Sequence, residues 1–511
     1  VRRIRRTWLA AGLLALRAGV PLAAEPAAAG SRLEAQLARA LERTLPAEGI
    51  AIGVVLRGDD LPAPGPGRSA AIQARQQRVL AALPAARFRL KHRYSQLSGF
   101  SGWAQRDAIE ALLGHAETAH VYLDGRVRAT LAQGAALVGA GAVHAQGYTG
   151  AGVRVAVLDS GIDSDHPHLA DDLAAQQCFC DDHPSPAVGC CPNGQQTQAN
   201  AEDDNGHGTY VAGVITSSRS AGPGVAPDAE IVAVKVLDAD GNGSFSDIAA
   251  GLDWVLTNRV TLAIRVVNLS LGDGVEHASA SAFPCAGTNT ANAIQALAAA
   301  GVSVFASSGN EGFDAGIGFP ACVAGAISVG GVYDASLGSV SWCGNASCST
   351  ILCTDSPTFA DRFVCHTNSG PLLDLLAPDW RTDTTALGGG TASFGGTSAA
   401  CPYAAAQAAL LLQANAALTP AQVLGALQGH GAAVSNPDNG LSFTRSDVAA
   451  ALPSVLPAVC GNGSVESGED CDDGNTAGGD CCSAACGFES AGSACEDGSA
   501  CSLGDVCDGA G

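Results

Sequence analysis

The stretch VAVLDSGIDSDHPHL, Val155–Leu169, changes character at Asp159: an apolar β-branched run stops and small polar residues follow. Extended back to Val153, the run Val153–Leu158 reads as a strand with no polar alternation, the pattern of a strand covered on both faces. Comparable runs recur at Ile231–Val236, Val266–Leu269, Val302–Ser307 and Ala326–Val329. Between them lie helix-like stretches such as Ser246–Leu256, Thr290–Ala300 and Thr397–Gln413. This alternation, from about residue 150 to 452, predicts an α/β unit: a mostly parallel sheet covered by helices on both faces. Ligands of such sheets bind at the carboxyl ends of the strands, where Asp159 stands.

Two other stretches carry chemistry at an element terminus. In EDDNGHGTYVAGVI, Gly206-His207-Gly208-Thr209 opens an apolar helical stretch; in FGGTSAACPYAA, Ser398 follows a glycine pair at the start of an alanine-rich helix. Each residue alone has a bland reading, since Asp and Ser cap helices and a single His is usually a satisfied polar group. Together, an Asp, a His and a Ser supply an orienting group, a general base and a nucleophile. Asp159, His207 and Ser398 follow the chain order of one known triad class and of neither of the two others.

DSGIDSDHPHL, NGHGTYVAGVI and GGTSAACP resemble, in order and spacing, the three signatures of subtilisin-like serine proteases. VNLSLG (Val267–Gly272) is similar to one wall of that family's substrate cleft, VLDADGNGSFSDI (Val236–Ile248) to the opposite wall, and ASSGNEG (Ala306–Gly312) to the segment that supplies an oxyanion-hole asparagine. The resemblance covers roughly 140–450 and implies a peptide-bond hydrolase. It places Asp159, His207 and Ser398 in the triad, Asn310 in the oxyanion hole, and Gly241, Gly243, Ser270, Leu271, Gly272, Gly309 and Gly318 against the substrate, with Glu311 near the rim of the primary pocket. The chemistry it implies needs no cofactor, while structural calcium is left open. His168 stands where many members have an aspartate calcium ligand, and Asp379, Tyr210, Tyr403 and Cys401 also depart from the usual pattern.

Charge and cysteine content organise the rest. The 511 residues carry a formal net charge of −22, which argues against a nucleic-acid partner. Residues 1–130 hold 19 Lys and Arg against 10 Asp and Glu, and the remainder 8 against 39, so a basic front precedes an acidic body. The first 24 residues, with four early arginines and the apolar run Trp8–Leu16, have the layout of a signal peptide, and that run is too short to span a bilayer. Nineteen cysteines in clusters fit disulfides in an oxidising compartment, with zinc as the alternative reading.

Residues 25–135 read as a small α+β unit: strands at Ile50–Leu56, Arg87–Tyr94 and His120–Leu123, helices at Ala35–Arg43, Ala70–Leu83 and Trp103–Leu113, and a loop at Leu61–Arg68. Its final part, His92–Ala129, resembles the end of a subtilisin-type propeptide, which implies an intramolecular inhibitor cleaved within Ala129–Val138. Residues 136–455 are the expected peptidase domain. Residues 456–511 are rich in Gly, Asp and Cys, too poor in large apolar side chains to bury a core, and expected to be stapled by disulfides. They resemble the cysteine-rich repeats at the ends of secreted myxobacterial proteins, with an incomplete second run at Cys495, Cys501 and Cys507. The reading is thus a secreted, self-processed endopeptidase acting on polypeptides. A catalytically silent fold of the same kind, used for binding, is the alternative.

Overall fold

A computed structural model describes residues 49–124, 126–128, 136–457 and most of 459–491, apart from short breaks (59–60, 63–65, 85, 182–188, 220–222, 344–348 and 381), together with Leu37 and Leu41. The expected signal peptide, the segment 129–135 and the cysteine run from Cys495 lie outside the described residues.

The front unit is a four-stranded antiparallel sheet with two helices: β1 (Ile50–Leu56), α1 (Pro66–Ala81), β2 (Phe88–Arg93), β3 (Gly99–Ala104), α2 (Arg106–Gly114) and β4 (Thr118–Leu123), in strand order β2-β3-β1-β4. Ile52, Val54, Phe100, Ile109, Leu112 and Val121 form its own core. β3 corrects the sequence reading, which carried Trp103 into a helix. GFSGWA has no β-branched residue to announce a strand, yet it is an interior strand of the sheet, between β2 and β1. A side chain at Gly102 would meet the Arg89 carbonyl on β2 at 2.4 Å, so only glycine lets the strands close there. The expected loop Leu61–Arg68 is also shorter, because Pro66 begins α1, where a missing N–H costs nothing. A further strand, β5 (Arg126–Arg128), leaves the unit toward the body.

The body has the predicted α/β architecture. Its strands and main helices are β6 (Arg154–Asp159), β7 (Leu173–Phe179), β8 (Thr197–Gln198), α3 (His207–Thr216), β9 (Glu230–Lys235), β10 (Asn242–Ser244), α4 (Phe245–Asn258), β11 (Ile264–Leu269), α5 (Asn289–Ala299), β12 (Ser303–Ser307) and β13 (Ala326–Val332). There follow a hairpin β14–β15 (Gly338–Cys343, Ile351–Thr358), β16 (Leu375–Pro378), a second hairpin β17–β18 (Thr382–Ala386, Gly390–Phe394), α6 (Thr397–Ala414), α7 (Pro420–Gly429), β19 (Ala432–Ser435) and β20 (Ser442–Arg445). Ten strands form one sheet in the order β19-β20-β16-β13-β12-β11-β6-β9-β7-β8, parallel except at its two edges, β19–β20 and β7–β8. The chain starts at β6, adds β7 and β9 on one side, then returns to lay β11 on the other. That reversal of strand order opens a crevice at the carboxyl ends of β6 and β11.

Two cores fill the two faces, one around α3 and α6 and one around α4 and α5. α6 is apolar all round and buried along nearly its whole length, and its alanines let it lie close under the strands. Its Pro402 falls in the second turn, where a missing N–H leaves a carbonyl bare. That carbonyl, four residues back, belongs to Ser398, and Ser270 Oγ donates to it instead at 2.7 Å.

Disulfides join Cys178–Cys191, Cys180–Cys190, Cys285–Cys322, Cys353–Cys365, Cys460–Cys486 and Cys471–Cys482, as the clustered cysteines predict. Cys401 is a buried free thiol. No helix among the described residues is long and apolar enough to cross a membrane.

Candidate active site

Asp159 ends β6 and is fully buried; its Oδ1 accepts from the Ser160 N–H and lies 2.7 Å from His207 Nδ1. His207 is the first residue of α3 and stands edge-on to Phe394. The start of α3 is held by Asp203, which sequence reasoning passed over although it lies in EDDNGHG. Its carboxylate accepts from the N–H groups of Asn205, Gly206 and Thr209, from Thr209 Oγ1 and from Ser160 Oγ. Burial alone would raise this carboxyl's pKa, but those donors hold it below its ordinary value. On the next strand the buried Lys235 donates to the Ser160 carbonyl at 2.7 Å and pairs with Asp204. The turn Asp159–Ser160 is therefore held from both sides.

Ser398 is the second residue of α6, at the positive end of the helix dipole. Gly396, at φ 110°, makes the turn into the helix in a conformation that side-chain-bearing residues rarely adopt. Ser398 Oγ donates to the Ser270 carbonyl at 3.1 Å, so Ser270, just beyond β11, touches both ends of this residue. Asn310 follows β12, and its Oδ1 accepts from the Thr397 N–H at 2.8 Å, which fixes the amide beside the start of α6. Thr397 Oγ1 in turn accepts from Gly309 N–H at 3.2 Å.

The expected cleft walls fall on either side. Ser270, Leu271 and Gly272 continue from β11, and the Gly318 N–H donates to the Ser308 carbonyl at 2.7 Å. A methyl on Gly318 would lie 3.7 Å from Asp273 Oδ1, which puts this second overlooked carboxylate, paired with His277 at 2.7 Å, beside Gly318. Glu311 does not simply face outward: one oxygen accepts from the Asn310 N–H and from Asn368 Nδ2. Gly241 turns the chain into β10, and Gly243 sits in the strand. β10 pairs antiparallel with β5 of the front unit, Gly243 opposite Val127.

The front unit also docks along α4 and on the start of α5. Asp253 accepts from the N–H groups of Ser95, Gln96 and Leu97, and Asp124 accepts from the Ser246 N–H at 2.7 Å. Lys91 reaches into the body, 2.6 Å from Asp181 and 3.1 Å from Asp247, with Asp124 at 3.7 Å; His92 lies 2.8 Å from Asp247.

The calcium position implied at His168 does not fit the surroundings of that residue. Its Nδ1 lies 3.3 Å from Ser218 Oγ and its N–H donates to His166 Nδ1, whereas calcium needs six to eight oxygens. The three-residue ligand group among the described residues, Cys460, Glu469 and Cys486, has both sulfurs joined in a disulfide.

The sequence profile of the Subtilase family matches residues 150–444. Subtilisin E of Bacillus subtilis (strain 168) is 32% identical over 324 residues, covering 62% of this chain and 69% of the relative. Subtilisin BL of Lederbergia lenta is 36% identical over 292 residues (57% and 87%), and an alkaline protease of Alkalihalobacillus alcalophilus 34% over 340 (65% and 74%). With the family match spanning more than half its length, the chain belongs to the subtilase family and is a serine-type endopeptidase.

Proposed function

We propose that Ser398, His207 and Asp159 are the catalytic triad of a secreted endopeptidase made as a self-processed zymogen. Ser398 Oγ attacks the scissile carbonyl while His207 takes its proton; the same proton then passes to the leaving amine, and water hydrolyses the acyl-enzyme by the reverse sequence. With Nδ1 turned to Asp159, Nε2 is the nitrogen that acts as base. Asn310 Nδ2 and the Ser398 N–H meet the oxyanion; a donor of this kind lowers the barrier by about 3–4 kcal/mol. The observation that carries the reading is the buried 2.7 Å pair His207–Asp159, set at the same sheet end as the start of α6.

The front unit is proposed as propeptide and temporary inhibitor. Its last described strand lies along β10, where an extended substrate would pair, and its basic surplus meets the acidic body. Polypeptides binding along β10 and the Ser270–Gly272 wall are the substrates. Residues 1–24 are read as a signal peptide, and residues 456–511 as a cysteine-rich repeat region in which the disulfides among the described residues, Cys460–Cys486 and Cys471–Cys482, fit export. Ser398→Ala tests the core of this reading: the purified variant should lose peptide cleavage and remain uncleaved between residues 129 and 138. Residual cleavage at the parent's rate would refute it.

A further inference from the structure

Behind the nucleophile turn lies a second buried imidazole–carboxylate pair with no part in the chemistry above. His366 Nε2 is 2.8 Å from Asp379 Oδ2, and both residues are shielded from solvent (1% and 0% exposed). Among the described residues, neither His366 Nδ1 nor Asp379 Oδ1 has a hydrogen-bond partner, so the pair spends itself on one link. Trp342, from the β14–β15 hairpin, closes over the imidazole with ring centroids 3.7 Å apart and planes perpendicular. The Cys353–Cys365 disulfide ties that hairpin to the residue preceding His366.

Each partner's backbone leads to a different part of the active site. The Asp379 carbonyl accepts from the Gly396 N–H at 3.2 Å, two residues before Ser398. The His366 carbonyl accepts from the Gly312 N–H at 2.8 Å. Two residues on, the Asn368 N–H donates to the Gly309 carbonyl, and its Oδ1 accepts from the N–H groups of Glu311 and Phe313, each at 3.0 Å. Asn310, held between Gly309 and Glu311, reaches across to the Thr397 N–H. The links close into a ring: Asn310, Thr397, Gly396, Asp379, His366, Asn368 and back to Asn310. His366–Asp379 is its one contact between two ionisable side chains.

We propose that His366 and Asp379 are positioning residues, a brace that sets the spacing between the oxyanion-hole asparagine and the nucleophile turn. A purely space-filling role explains them poorly, because an apolar pair of similar volume fills a buried site at no desolvation cost. What a hydrogen-bonded pair adds is direction and a fixed separation. A misplacement of about 1 Å at such a distance from the chemistry can cost a large factor in rate. This inference rests on the triad reading and goes beyond it.

The test uses the enzyme as secreted, each preparation titrated with a fluorophosphonate so that rates refer to labelled Ser398. Label on the parent's Ser398 checks the triad reading separately; its absence sinks that reading and this one with it. His366→Ala and Asp379→Ala should lower kcat on a chromogenic peptide about tenfold with KM within about twofold. Asp379→Asn, which keeps an acceptor for the imidazole, should bring kcat back to within about threefold of the parent. Parent-level kcat per labelled site in the alanine variants overturns the brace, whatever their thermal midpoints, and so does an asparagine variant no better than the alanine one. Should the alanine variants fail to be secreted, His366→Gln and His366→Asn take their place, since the longer amide reaches the position of Nε2 and the shorter does not. A higher kcat in the glutamine variant supports the brace, and equal values overturn it.

Discussion

Among the His–Asp contacts of the described residues, His207–Asp159 and His366–Asp379 are nearly equal in length and the most deeply buried, yet they are built differently. Asp159 is supported: it ends a strand, takes the Ser160 N–H as well as His207, and sits on a turn pinned by Asp203 and Lys235. Asp379 follows its strand with a carboxyl that burial raises above its usual value against the pull of His366; each of the two aspartates leaves one oxygen unpartnered among the described residues. The first pair is oriented by its neighbours, and the second orients its neighbours. A buried imidazole–carboxylate contact does not identify a catalytic dyad by itself; what lies at the other end of each residue decides.

The contrast can be broken most severely at the first pair. Asp159→Asn keeps the shape but removes the carboxylate charge that stabilises the protonated imidazole and offers an NH2 that favours the wrong tautomer, so kcat should fall about 10⁴-fold, far more than any change at Asp379. A steady-state assay at saturating peptide measures this, and a loss no larger than that of Asp379→Asn would erase the distinction. Next in size is Ser270→Ala. It strips the Ser398 carbonyl of the donor that replaces the absent Pro402 N–H, and should cost about 1–3 kcal/mol of stability as read from urea midpoints. An unchanged midpoint would mean another donor moves in.

The smallest effect concerns a third buried cluster, at the join between front unit and body. The Asp181 carboxyl is pushed up to about 7, by burial first and then by the charge of Asp247, against the pull of Lys91. The groups facing it are Lys91, His92, Asp124 and Asp247. Once the front unit leaves, an exposed aspartate titrates near about 3.9. The raised value belongs to the docked state, so docking takes up a proton. Affinity is greatest near the exposed value, declines as pH rises to about 7 and is flat above it. In stronger acid it falls again, as Asp247, which burial would raise but Lys91 and His92 of the front unit hold low, takes up its proton. Gel filtration of the self-cleaved protein across that range should show the front unit retained in acid and shed toward neutrality. Asp181→Asn should flatten the profile.

Much of this was legible in sequence, for a physical reason. Strands of a sheet covered on both faces are short, continuous and apolar, so β6, β9, β11, β12 and β13 stand out against polar loops. The parts of the site that end such strands are marked too, because glycines crowd where backbone must turn tightly, as around His207 and Ser398. What stayed hidden depends on partners distant in the chain. β3 is a strand because its glycines let β1 and β2 close on it, which no local pattern encodes. Asp203 reads as one more acid in a run until the fold brings Ser160 to it. Asp379 stood out in sequence only as an oddity, and His366 gives it meaning through a contact that a strand and a loop bring about.

One feature of the body bears on survival rather than catalysis. The disulfides Cys178–Cys191 and Cys180–Cys190 close loops of 13 and 10 residues at the end of β7, at one edge of the sheet, and Cys353–Cys365 closes one of 12 residues that begins in the β14–β15 hairpin. If substrates bind as extended strands along β10, as proposed, the enzyme meets copies of itself as candidate substrates at every concentration. A loop pinched at both ends by sulfur cannot straighten into such a strand. On that reading, the disulfides make these segments poorer substrates for a second copy of the enzyme.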